Sequence, residues 1–148
     1  MSTYTLEKED YSKLDKNISI AIITAQFNKG YTTELELLNK NFLIDEGFVN
    51  ISSYKVPGAY EIPGMAKQIL DKKSADLIIC LGVVIKWDTP HFDYVCWESA
   101  RWIMNLTTQT NVPIMNGILT CFSEKQVNER LKPVYALSWL NTLVAYNQ

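Results

Sequence analysis

The sequence contains no run of lysine or arginine, and 14 basic residues against 16 acidic ones leave a formal charge of −2. Nucleic-acid binding ordinarily needs a basic stripe that neutralises phosphates, so no nucleic-acid partner is expected. Cysteine is scarce. Cys80, Cys96 and Cys121 are odd in number, lie in apolar surroundings and form no C-x-x-C pair. They imply neither a disulfide framework nor a zinc site, and no other residues have metal-ligand spacing; a reducing cytoplasm is the expected location. Cys96 and Cys121 also lack an identifiable base, which argues against thiol nucleophile chemistry. The N-terminal stretch MSTYTLEKEDYSKLDKN is polar and charged and looks like neither a signal peptide nor a membrane span, so no membrane partner is expected. There is no internal repeat and no low-complexity tract. The 148 residues make a single domain, long enough to bury roughly two-thirds of the surface that the unfolded chain exposes.

Histidine occurs once, as His91, at the point where a buried apolar run meets the start of a helix. Residues 77–85 are almost continuously apolar, which suits a strand covered on both faces of a parallel sheet. Ligands of open α/β sheets bind beyond the carboxyl ends of the strands, where the following helix offers free N–H groups to an anion. Asp88, Thr89, Pro90 and His91 occupy that place. Elsewhere, residues 18–25 read as a first strand, followed by the loop Gln26-Phe27-Asn28 and a helix to about residue 46, with Leu35, Leu38, Phe42 and Leu43 on one stripe. Asn28 is the expected N-cap. Gly47 ends that helix, residues 51–56 form a second strand, and Pro57-Gly58 breaks it before a helix over 62–70. The third strand covers 76–86, the third helix 92–110 and the fourth strand 112–120. Ser123 with Gln126 is a capping-box signature for another helix, and a last helix spans 134–146. This alternation predicts βαβ units with right-handed crossovers and a three-layer α/β/α domain.

Three loops that follow strands should therefore meet at one sheet edge: Gln26 to Asn28, Pro57 to Glu61, and Trp87 to His91. Together they offer an aromatic face, a carboxylate, backbone donors and an imidazole. A planar polar ligand fits that set, its ring on Phe27, its hydroxyls on Glu61 and an anion beside Thr89. The imidazole of His91 can give and take protons near neutral pH. Each residue also has a plain structural reading. His91 can cap or pack, Phe27 can belong to the core, VPGAYEIP can be a strand-ending turn, and Arg130 can be a solvated surface charge. Trp97, Trp102 and Trp139 are more large aromatics than the helix faces of a small domain need, which points to a subunit interface, with the domain's own core as the alternative.

The order and spacing of these loops resemble the lumazine synthase family. The resemblance covers about residues 18–130 and rests on Phe27-Asn28, VPGAYEIP over 56–63, GVVIKWDTPHFDYV over 82–95 and VPIMNGILT over 112–120. It implies a flavodoxin-like three-layer sandwich on a four-stranded parallel sheet. The implied reaction condenses 5-amino-6-ribitylaminouracil with 3,4-dihydroxy-2-butanone 4-phosphate to 6,7-dimethyl-8-ribityllumazine, phosphate and water in riboflavin biosynthesis, with no cofactor or metal. By the same resemblance Phe27 stacks on the pyrimidine beside Asn28, and Ala59, Tyr60, Glu61 and Ile62 hold the ribityl chain and ring. Val83, Val84 and Ile85 complete the pocket, His91 handles protons, and Asp88 and Thr89 stand at the phosphate side. Met115, Asn116 and the phosphate-binding Arg130 come from a neighbouring subunit, which implies a homo-oligomer, a pentamer or a multiple of pentamers. Residues 1–17 become an N-terminal extension able to pack on a neighbour. The chain departs from the family pattern at Gln26, where arginine is common, at Trp87, where glycine is usual, and at Asn116, where an aromatic is frequent. It also lacks the Gly- and Lys-rich loop after Arg130, where Lys132 is the nearest replacement. The rival reading is a non-catalytic flavin- or lumazine-binding relative that has lost part of the phosphate site. A phosphate-sensing flavodoxin-like module is a third.

Overall fold

The computed structural model describes residues 5–148. Its centre is a four-stranded, all-parallel sheet of β1 (Ile20–Ala25), β2 (Ile51–Val56), β3 (Leu77–Ile85) and β4 (Ile114–Cys121), in the order β2-β1-β3-β4. The apolar run of residues 77–85 is the central strand β3, buried at every position but its last. It pairs with β1 from Ile20↔Leu77 and with β4 from Ile78↔Ile114. Burial on both faces explains why these residues do not alternate with polar ones, whereas the edge strand β2 exposes Ser52, Ser53 and Lys55.

Helices cover both faces, as expected for a three-layer sandwich. On one face α2 (Ile62–Asp71) and α3 (His91–Gln109) bury Ile62, Ala66, Ile69, Phe92, Val95 and Ile103 against Ala21, Ile23, Ile78 and Cys80. On the other, α1 (Lys29–Asp45), α4 (Glu124–Arg130) and α5 (Leu137–Tyr146) bury Leu35, Leu43, Val127, Leu140 and Leu143 against Ile20, Ile22, Leu77 and Ile79. The chain steps from β1 outward to β2, then returns to lay β3 on the other side of β1. The strand order thus reverses between β1 and β3, and a crevice opens there at the carboxyl ends of the strands.

Several sequence expectations are corrected here. Residues 133–136 form a 3₁₀ turn opened by Pro133, whose fixed φ suits a first helical position, and α5 starts only at Leu137. Ser123 does cap α4, its Oγ accepting from Gln126 N at 3.4 Å, but Gln126 Oε1 accepts from Phe122 N at 2.7 Å, one residue before the cap. Trp139 is half-buried and donates Nε1–H to Asn39 Oδ1 at 2.5 Å, so it joins α5 to α1 within the chain. Trp97 and Trp102 are the reverse case: 74% and 48% exposed, they stand outside the domain's own core. In the N-terminal segment, whose first four residues lie outside the described ones, Glu7, Glu9 and Tyr11 bond to Asn141 of α5. Tyr11 is 3% exposed and its hydroxyl donates to Asn141 Oδ1 at 2.6 Å, while Asn141 Nδ2 donates to Glu7 O at 2.8 Å.

Candidate active site

The loop after β1 is laced to the turn after β2: Gln26 N donates to Val56 O at 2.8 Å and Phe27 N to Pro57 O at 3.0 Å. Asn28 then turns the chain into α1 with φ 58° and ψ 47°, a left-handed conformation that asparagine tolerates better than most residues. It occupies the N-cap position without capping through its side chain. Instead Nδ2 donates to Val83 O at 2.8 Å, tying the β1 loop to the end of β3. The expected cap is thus corrected to a brace between the β1 loop and β3, because the Val83 carbonyl lies within hydrogen-bond reach of the amide.

The turn after β2 carries the second side of the crevice. Glu61 Oε2 accepts from Gly58 N at 2.9 Å and closes a one-turn 3₁₀ helix over Ala59–Glu61, leaving the other carboxylate oxygen for a ligand. The Phe27 ring lies directly on Gly58. A Cβ at that position would stand 2.9 Å from Phe27 Cδ2 and 3.1 Å from Glu61 Oε2, so only glycine admits the ring. Phe27 itself is 69% exposed, which sets aside its reading as a core residue.

These pieces enclose a cavity of about 410 Å³ at the β1/β3 reversal. Phe27 and Asn28 come from the first loop, Ala59, Tyr60 and Glu61 from the second, Val83, Val84 and Ile85 from the end of β3, and His91 from the start of α3. His91 is the first residue of α3 and is exposed. Its ring centroid lies 5.8 Å from that of Trp87, tilted by 45°. Next to the cavity is an open recess lined by Lys86, Asp88, Thr89, Asp93 and Phe122, beside the N-terminus of the 19-residue α3. Lys86 Nζ sits 5.3 Å from the Phe122 ring centroid, so the cation is held over that recess by the aromatic face. Among the described residues, no group of histidine, cysteine or acidic side chains is placed to hold a metal ion.

The remaining expected residues lie elsewhere. Ile62 is fully buried beneath the cavity, in the core between α2 and the sheet. Met115 is buried on the opposite face, among the residues that α1 and α5 cover. Asn116 and Arg130 line a separate cavity of about 340 Å³ with Lys132, Tyr135 and Trp139. Arg130 is exposed there, its Nη1 donating to Gln126 O at 2.9 Å. One chain therefore does not bring Arg130 to His91. Gly58 and Trp87 line the cavity from the loops expected to meet there, whereas sequence reasoning missed two lining residues, Ala25 and Val95. Val95 was within reach of it, since it follows His91 by four positions and so shares its helix face.

An apolar slot with one imidazole, one carboxylate and an adjoining polar recess can hold a flat heterocycle against a second, anionic reactant and move protons between them. The 6,7-dimethyl-8-ribityllumazine synthase family model matches residues 17–145. The 6,7-dimethyl-8-ribityllumazine synthase of Limosilactobacillus reuteri is 41% identical over 115 residues, which are 78% of this chain and 76% of that protein. That of Campylobacter jejuni subsp. jejuni is 40% identical over 119 residues, 79% of this chain and 77% of its own length. The chain belongs to the 6,7-dimethyl-8-ribityllumazine synthase family.

Proposed function

We infer that the chain carries out the reaction of its family, making 6,7-dimethyl-8-ribityllumazine in riboflavin biosynthesis from 5-amino-6-ribitylaminouracil and 3,4-dihydroxy-2-butanone 4-phosphate. The observation that carries this reading is the convergence of Phe27, Glu61 and His91, from three loops far apart in the chain, on one cavity at the strand-order reversal. Phe27 stacks on the pyrimidine, and Glu61 with the backbone of Ala59 to Ile62 takes the ribityl hydroxyls. The amine of one substrate condenses with the ketone of the other to an imine, phosphate leaves, and the second nitrogen closes the ring with loss of water. Holding both reactants in one slot removes much of the entropic barrier, and His91 moves the protons that each step needs. The match to the family continues past Arg130 to residue 145, across the shortened segment, which disfavours a binder that has lost the phosphate side.

The working unit is a homo-oligomer, a pentamer or a multiple of pentamers, and its place is the cytoplasm. Arg130 and Asn116 line their cavity with Leu35, Leu81 and Trp139, away from His91. A second copy of the chain supplies Arg130, with Lys132 beside it, to the leaving phosphate near Thr89. The exposed stripe Tyr94, Trp97 and Met104 on α3 supports such an interface. The N-terminal segment completes the single domain rather than forming a unit of its own.

The test is direct. Purified protein given both substrates should develop the absorbance of the lumazine, and His91→Ala should lower kcat by about 10²- to 10⁴-fold with unchanged folding, the usual yield of general acid–base catalysis. Lower thermal stability with an unchanged rate per folded molecule would assign His91 to packing instead.

A further inference from the structure

We infer that Trp87 is a positioning residue for the phosphate-bearing substrate and acts through the Thr89 hydroxyl. The inference rests on the reading of the site as a synthase. Among the described residues, Trp87 is the one that lines both the main cavity and the recess beside it. Its indole is fixed from two sides. Its ring centroid lies 5.8 Å from that of His91 and 5.7 Å from that of the buried Phe92, which it meets edge-on at 78°. Its Nε1–H donates to Thr89 Oγ1 at 2.9 Å.

That hydrogen bond decides what Thr89 can do. An indole N–H only donates, whereas a hydroxyl has one proton and two acceptor lone pairs. With one lone pair taken by Trp87, the Thr89 proton remains to be given to an acceptor in the recess, and the bond from the indole polarises the O–H and strengthens it as a donor. Directed donation matters here because the recess has no favourable net charge: Asp88 and Asp93 line it along with the single cation Lys86. Charge alone does not hold an anion there, so an aimed hydroxyl adds selectivity that Lys86 cannot provide. Since the flat face of the indole serves the main cavity and its N–H serves the recess, the two functions separate by substitution.

Trp87→Phe keeps an aromatic ring against His91 and Phe92 and removes the N–H together with part of the indole's area. Thr89→Val removes the hydroxyl at nearly constant shape. KM for each substrate, and inhibition by inorganic phosphate, are measured for both variants and for the double variant. For Trp87→Phe we expect KM for the butanone phosphate and the phosphate inhibition constant to rise about fivefold, the worth of one net hydrogen bond, while KM for the pyrimidine changes by less than about twofold. In the Thr89→Val background the same change should have no further effect, as a double-mutant cycle requires when one residue acts through the other. Unchanged constants, an equal rise for both substrates, or a full effect in the Thr89→Val background would overturn the inference. If the unsubstituted protein makes no lumazine, the synthase reading fails by itself. Calorimetric binding of inorganic phosphate then still decides: weaker binding in Trp87→Phe supports the assignment, and equal or absent binding in both proteins refutes it.

Discussion

At the scale of single residues, the sharpest constraint is the contact between Gly58 and Phe27. Gly58→Ala forces a methyl group to within 2.9 Å of the Phe27 ring, and because that ring is exposed it is the ring, not the backbone, that gives way. We expect KM for the pyrimidine to rise about tenfold, in line with the loss of one aromatic stacking contact, with a thermal midpoint close to that of the parent. Steady-state kinetics beside a melting curve checks this, and an unchanged KM would remove Phe27 from the stacking role. A second residue-scale prediction concerns pH. Burial on the central strand pushes the Cys80 thiol up to about 12. The unfolded chain then binds fewer protons than the native one once its thiol ionises, so stability is retained at neutral pH and lost as pH rises. Above about pH 9 this thiol alone should remove about 1.4 kcal/mol per pH unit, until the folded thiol ionises too. Burial raises the thiols of Cys96 and Cys121 and the phenol of Tyr11 in the same direction. Urea titrations on either side of that pH test it, and the slope should be shallower in Cys80→Ala.

Among the elements, the segment before β1 depends on α5 rather than on structure of its own. One side chain, Asn141, accepts from the Tyr11 hydroxyl and from Glu9 N, and donates to Glu7 O. Asn141→Leu leaves the buried Tyr11 hydroxyl without its partner and should lower stability by about 1–3 kcal/mol, the cost of an unsatisfied buried donor. Limited proteolysis should then cut before Tyr11 faster than in the parent. Stability and cleavage both unchanged would mean that the clasp contributes nothing. This clasp was not legible in the sequence, since its partners are separated by 130 residues or more. Elements with local signals were legible. The apolar run of β3, the Ser123 start of α4 and the Gly47 end of α1 were all read within a residue or two, because the physics that forms them acts over one turn or one strand. Asn28 shows the boundary: its position at the start of α1 was readable, but not that its amide would turn to Val83, 55 residues away.

For the whole molecule, the separation of His91 from Arg130 is the consequential fact. If neighbouring chains share a site, His91→Ala and Arg130→Ala each disable every site in a uniform oligomer, yet a mixed oligomer contains interfaces where an intact His91 faces an intact Arg130. Dissociating and reassembling an equal mixture should restore activity at roughly a quarter of the interfaces by random pairing of copies. No recovery from a mixture shown to have exchanged subunits would place the whole site within one chain. Sedimentation separates a pentamer from larger assemblies.

The local periodicities and the order of the loops were enough to establish the layered α/β/α fold, the parallel sheet and the end of the sheet at which chemistry belongs, since each follows from which residues must be buried and where strands give way to helices. The motif blocks likewise pointed to Phe27, Glu61 and His91 as partners. Only the tertiary structure decided that Asn28 is a brace, that Trp139 ties α5 to α1 while Trp97 and Trp102 face out, that Ile62 and Met115 support the core, and that Trp87 lines both the cavity and the recess. The reason is physical. A residue's type and spacing determine what it can do, but which of those possibilities is used depends on neighbours that the chain brings within a few ångströms from far along its length.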